Sequence, residues 1–164
     1  MNASCTKTLA LLLTLMAWTA QAAMPPQSGD KAPDWILTNA EGKPTSLYRD
    51  SDDAQVVLVF WASWCPFCLD LMPQLEALQT ELAEKPVKFF ALNVWEDGDP
   101  VQYLATKAPH LRLLLKAETV AQRYGVVGTP GLFVMDEEKN ITYIRQRGTS
   151  SEEAITAVRT ALGY

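Results

Sequence analysis

The chain has 164 residues, 48% of them apolar and 20% charged, with 14 Lys and Arg against 19 Asp and Glu. This composition suits one globular domain with its own core and excludes a disordered or fibrous chain. A net charge of −5 argues against nucleic acid as a partner, which needs a basic face; a solvated surface accounts for the acidic balance.

Taken in chain order, the first residues read as a targeting segment. Lys7 is the only charge before Asp30, Leu9 to Trp18 are apolar apart from one Thr, and Ala20-Gln21-Ala22 supply small residues for a cut. This is the pattern of a secretory signal peptide over residues 1–22. The apolar stretch is about half of the ~20 residues that a spanning helix needs, so export to the periplasm with cleavage is expected over an uncleaved anchor. Trp18 belongs to the leader and carries no site. Cys5 leaves with the leader, and Cys65 and Cys68 remain as one close pair, which suits an oxidising compartment.

Residues 23–31, rich in Pro, Gly and Ser, read as a flexible lead-in, and residues 32–164 as one domain. Trp35–Thr38, the turn 39–43 and the extended piece Pro44–Tyr48 suggest an N-terminal strand pair. Val56–Trp61 lacks polar alternation, as a strand buried on both faces would. Leu69–Glu84 carries Leu69, Met72, Leu75, Leu78 and Leu82 at helical spacing. Val87–Val94 is the next strand. Asp99 and Pro100 open a helix to Lys107 as its cap and first residue. A short strand over Leu111–Leu115 and a short helix over Glu118–Tyr124, closed by Gly125, follow. Strands over Leu132–Met135 and Ile141–Gln146 flank a turn, and Ser150 or Ser151 caps a last helix with Glu152 and Glu153 at its positive end. The order predicts an α/β fold, a central mixed sheet with helices on both faces.

Trp64-Cys65-Pro66-Phe67-Cys68 stands where the first central strand meets its helix. Two cysteines at this spacing and junction point to a dithiol that opens and closes by thiol–disulfide exchange. Exchange needs a thiolate, and free N–H groups at a helix start can stabilise one on Cys65. Pro66 fits the first turn, where its missing N–H costs nothing. Cys68, one turn on, is expected to be the more buried sulfur. Cys65 would attack a partner's disulfide, and Cys68 would resolve the mixed disulfide. Structural zinc wants about four Cys or His ligands, more than two Cys and one His supply, and a permanent disulfide closing so small a loop would stabilise little. A copper module built on the dithiol and His110 stays open as a reading of a different class.

The stretch from Phe60 to Cys68, with Pro73 five residues later, resembles the thioredoxin superfamily. So does Tyr124-Gly125-Val126-Val127-Gly128-Thr129-Pro130 before an apolar strand. The resemblance implies a thioredoxin fold, a helix kinked at Pro73, and a cis Pro130 lying against the dithiol. It implies that the backbone of Thr129 pairs with an extended substrate. The leader, the N-terminal strand pair and the segment from Trp95 to His110 are similar to the TlpA/ResA/DsbE branch of exported thioredoxins. That branch mostly acts as reductants, some on apocytochrome c for haem attachment. A membrane electron donor of the DsbD type is implied with it, with protein thiols and disulfides as partners. No cofactor beyond the Cys65–Cys68 dithiol is expected, and the chain is expected to be a monomer.

Two departures from the family matter. Val59 stands where thioredoxin has a buried acid, with Ala91 in place of the Lys that approaches it, and Leu71 stands where the branch often has Glu. Asp70 and Glu96 are then the candidates for handling the Cys68 proton. Trp61 is expected as core beneath the site, and Trp64 and Phe67 as a partly exposed apolar rim that, with Pro66, contacts substrate. The expected activity is thiol–disulfide exchange, as a reductant. The alternatives are an oxidant of secreted proteins, which differs by reduction potential, and the copper module.

Overall fold

In the computed structural model, which describes residues 24–164, the chain opens with an antiparallel pair, β1 (Ile36–Thr38) and β2 (Pro44–Ser46). The leader expected over residues 1–22 lies outside the described residues. A short helix, α1 (Leu47–Ser51), follows at once, where an extended piece to Tyr48 was expected. Ser46 ends the strand and caps the helix: its hydroxyl accepts from Arg49 N–H, and its own N–H donates to Asp50. That local exchange of bonds favours a helix start over further extension.

The central sheet is built on β3 (Gln55–Trp61). Parallel to it runs β4 (Val87–Asn93), and parallel to that β5 (Arg112–Leu114). On the other side β6 (Gly131–Met135) and β7 (Ile141–Ile144) run antiparallel, giving the order β5-β4-β3-β6-β7. Alternation along β3 feeds two cores, because successive side chains leave opposite faces. Val57, Val59 and Trp61 pack with helices α2 (Pro66–Glu81), α3 (Pro100–Lys107) and α5 (Ser151–Leu162). Val56, Leu58 and Phe60 pack with Trp35, Leu47 and helix α4 (Glu118–Arg123). The mixed sheet with helices on both faces and an N-terminal strand pair agrees with the α/β fold expected from the sequence.

Two other expectations need correction. Helix α2 begins at Pro66, three residues before the apolar spacing starts, and ends at Glu81. Its first turn is exposed except at Cys68, so apolar periodicity could not mark it. The lead-in is tied down rather than flexible: Gly29 N–H donates to Ile141 O, Ala32 N–H to Lys139 O, and Pro26 is buried. Pro25 packs so closely on Gly125 that a Cβ there would lie 2.5 Å from Pro25 Cβ. The final helix has the expected start, a full capping box between Ser150 and Glu153.

Candidate active site

Because β3 and β4 are parallel and β6 runs against them, the C-terminal ends of β3 and β4 meet the start of β6 at one end of the sheet. Cys65 and Cys68 sit there, both as free thiols. Cys65 is the N-cap of α2: its Sγ accepts from Cys68 N–H at 3.3 Å and donates to Thr129 O at 3.6 Å. An N-cap acceptor gains strength when ionised, since the helix end leaves N–H groups unpaired. Cys65 is 3% exposed and Cys68 is fully buried. The order of the two sulfurs is as expected, though Cys65 lies deeper than an outer nucleophile would suggest.

The Cys68 thiol is pushed up to about 12, first by burial and then by its hydrogen bond to Cys65. Its surroundings explain this: Val59, Leu71 and Ala91, the residues of the two departures noted in the sequence, are all buried in the same apolar cluster. Trp61 is fully buried in that cluster, with its ring 5.5 Å from that of Tyr103. Tyr103 is itself raised by burial and by the neighbouring Cys68.

The Thr129–Pro130 peptide bond is cis. Pro130 is buried and Thr129 partly so, with its carbonyl on Cys65 Sγ. Arg145 Nη1 donates to Pro130 O at 3.3 Å and braces this loop from the residue just after β7. Pro66 is exposed in the first turn of α2. Trp64 and Phe67 flank Cys65 at 50% and 71% exposure. Pro73 lies within α2, where it cannot donate to Leu69 O.

Asp70 and Glu96 occupy different places. Asp70 is exposed on α2. Glu96 stitches the site together: Oε2 accepts from Ser63 N–H at 2.9 Å and Asn93 Nδ2 at 2.6 Å. Oε1 accepts from Ser63 Oγ at 2.7 Å, Gly98 N–H at 2.9 Å and Asp97 N–H at 3.1 Å. Burial raises the Glu96 carboxyl, but these bonds outweigh it and hold it below the ordinary range. The carboxylate thus joins the loop before Cys65 to the end of β4. Ser63, Asn93 and Trp95 escaped the sequence reading. The one available signal for Asn93 and Trp95 was the run Asn93-Val94-Trp95-Glu96 at the end of an apolar strand.

His110 is paired elsewhere: its Nδ1 meets Glu76, and its N–H donates to the same carboxylate. Glu76 lies eleven residues beyond Cys65, roughly 16 Å along the helix. The donor set of the copper reading is therefore not assembled. Among the described residues no group of three or more His, Cys, Asp or Glu could hold a metal, and no helix is long and apolar enough to cross a membrane.

Residues 27–162 match the Redoxin family model. The chain is 31% identical over 116 residues to the thioredoxin-like protein YneN of Bacillus subtilis, covering 68% of this chain and 67% of that one. It is 30% identical over 116 residues to the thiol-disulfide oxidoreductase ResA of Bacillus thuringiensis, covering 69% of this chain and 66% of ResA. The chain thus spans about two thirds of the length of these relatives. Among solved structures, a Chlorobium tepidum protein assigned as thiol:disulfide interchange protein DsbE superposes with a TM-score of 0.72 at 28% identity, covering 84% of this chain and 99% of that one. The thioredoxin domain of a Bacteroides vulgatus thiol-disulfide oxidoreductase does so with 0.71 at 20% identity, covering 84% and 99%, a likeness of fold. With its dithiol at the head of α2 and a cis-proline loop against it, the chain belongs to the Redoxin family of the thioredoxin superfamily and is a thiol–disulfide oxidoreductase.

Proposed function

We propose that this protein is an exported, monomeric dithiol reductant of the periplasm, acting on protein disulfides that include those of apocytochromes awaiting haem. The Cys65 thiolate attacks one sulfur of the partner's disulfide; that S–S bond breaks and the partner's other sulfur leaves as thiolate. Cys68 then gives its proton to water and attacks Cys65 Sγ; the Cys65–partner S–S bond breaks, the partner leaves with two thiolate sulfurs that take up protons from solvent, and a Cys65–Cys68 disulfide remains. Two electrons from a membrane thiol carrier of the DsbD type restore the dithiol. The chemistry needs no cofactor beyond the two sulfurs. Trp64, Pro66, Phe67, Thr129 and Pro130 are the surface the partner meets.

The observation that carries the direction is the modest support given to a Cys65 thiolate. Strong oxidants stabilise their reduced form by holding that thiolate with several donors or cations. Here the sulfur has one N–H donor, from Cys68, and a carbonyl oxygen, from Thr129, on its other side. The reduced form is then not specially favoured, and the pair gives its electrons up readily. The test is the reduction potential of the pair, equilibrated with glutathione or dithiothreitol. A value near about −270 mV supports a reductant, and one near about −120 mV would reverse the direction.

A further inference from the structure

Trp95 holds a backbone conformation that a large side chain seldom adopts, with φ +49°. Both of its peptide groups are pinned there: its N–H donates to Glu118 Oε1 at 3.0 Å, and its carbonyl accepts Trp64 Nε1 at 2.7 Å. The next residue, Glu96, is fixed by its bonds to Ser63, Asn93 and Gly98. Glycine would suit this backbone without strain. The indole does not offset the strain by entering the core, since it belongs to neither buried cluster and is 38% exposed.

The place explains the residue. Trp64, Phe67, Leu69, Trp95 and Val127 are all large, apolar and exposed, and all lie on the three segments that meet at Cys65. A strained residue that is held in place and left open to solvent at a reactive centre is characteristic of a contact made with a partner. The Trp64–Trp95 bond fixes the Trp64 indole against the Trp95 backbone, so Trp64 is presented in advance of binding beside a Trp95 whose backbone is pinned. Rigid, pre-positioned tryptophans are common anchors of binding energy.

Building on the exchange reading above, we infer that Trp95 is a specificity-determining residue. With Trp64 it receives a bulky apolar side chain next to the partner's disulfide cysteine, so the preferred substrates are extended segments whose cysteine is flanked by aromatic or large aliphatic residues. Trp95 acts on recognition and leaves the sulfur chemistry to Cys65 and Cys68.

The test uses the reduced full-length domain and two symmetric disulfide-linked peptides, identical except for Phe or Gly on both sides of the cysteine. Second-order exchange rates are read by acid quench and chromatography, for the native protein, W95G and W95N; glycine and asparagine both suit a positive φ. The native protein should prefer the Phe peptide by about tenfold, the discrimination expected from one well-placed aromatic anchor. Both variants should reduce that ratio to about two. A ratio unchanged in the variants, including the case where both rates fall together, overturns the role of Trp95 and leaves the exchange reading intact. If the native protein exchanges with neither peptide, the exchange reading itself falls, and this inference with it.

Discussion

Replacing Glu96 by Gln keeps the size of the side chain and removes its charge. The carboxylate accepts five hydrogen bonds, two on Oε2 and three on Oε1. An amide has one acceptor oxygen, so either orientation turns its NH2 toward at least two donors. A hydrogen bond to a charged group contributes about 1.5–3 kcal/mol. With allowance for solvent at this partly buried site, a loss of about 2–3 kcal/mol is expected. For a domain of this size that is a fall in Tm of about 5–10 °C. The pH dependence has a definite sign. The folded-state carboxyl is depressed, because the bonds from Ser63, Asn93 and Gly98 outweigh the burial that would raise it. Its stabilisation is therefore complete above the unfolded value of about 4.3 and is lost as pH falls through the folded value. Thermal melts of the two reduced proteins, followed by circular dichroism, should differ at neutral pH and converge at pH values below about 4. A gap under about 0.5 kcal/mol at neutral pH, or one that persists unchanged in acid, would refute the reasoning.

Two further outcomes follow from buried groups. With Cys68 raised to about 12 by burial and by Cys65, the unfolded chain loses its proton first, so the reduced protein should lose stability as pH rises above about 8.5. By about pH 10 the deficit relative to neutral pH should be about 1–2 kcal/mol larger in the native protein than in Cys68→Ala, by urea titration; equal pH profiles would contradict this. Lys139 is 4% exposed and its Nζ donates to the carbonyls of Asp52, Ala54 and Glu137. Lys139→Met leaves those acceptors without their donor and should cost about 2–4 kcal/mol in the same titration; a loss under about 0.5 kcal/mol would show that the tether is idle.

The site was legible in the sequence where residue type and spacing impose the geometry. Cysteines three apart behind an apolar strand can hardly avoid the head of a helix, whereas the place of Thr129-Pro130 against them is what the thioredoxin resemblance implies and spacing alone does not. What escaped depends on contacts distant in sequence or on backbone shape. The ordering of residues 25–32 comes from bonds to residues 139 and 141. Helix α1 is five residues long, too short for a periodicity to show. Glu96 reads as a loop charge until the fold brings Ser63 to it, 33 positions earlier. Lys139 sits in a turn of charged residues that looks fully solvated, and only the fold reveals the three carbonyls around its ammonium. Trp95's positive φ leaves no trace in its neighbours.

The exchange mechanism requires Cys65 to act first and Cys68 second. Its most direct test is alkylation of the folded, fully reduced protein with iodoacetamide near neutral pH, mapped by mass spectrometry over time. Cys65 should be modified at least about a hundredfold faster than Cys68, whose thiol is held protonated in the core. Modification of Cys68 first, or no modification of either sulfur before the protein unfolds, would contradict it.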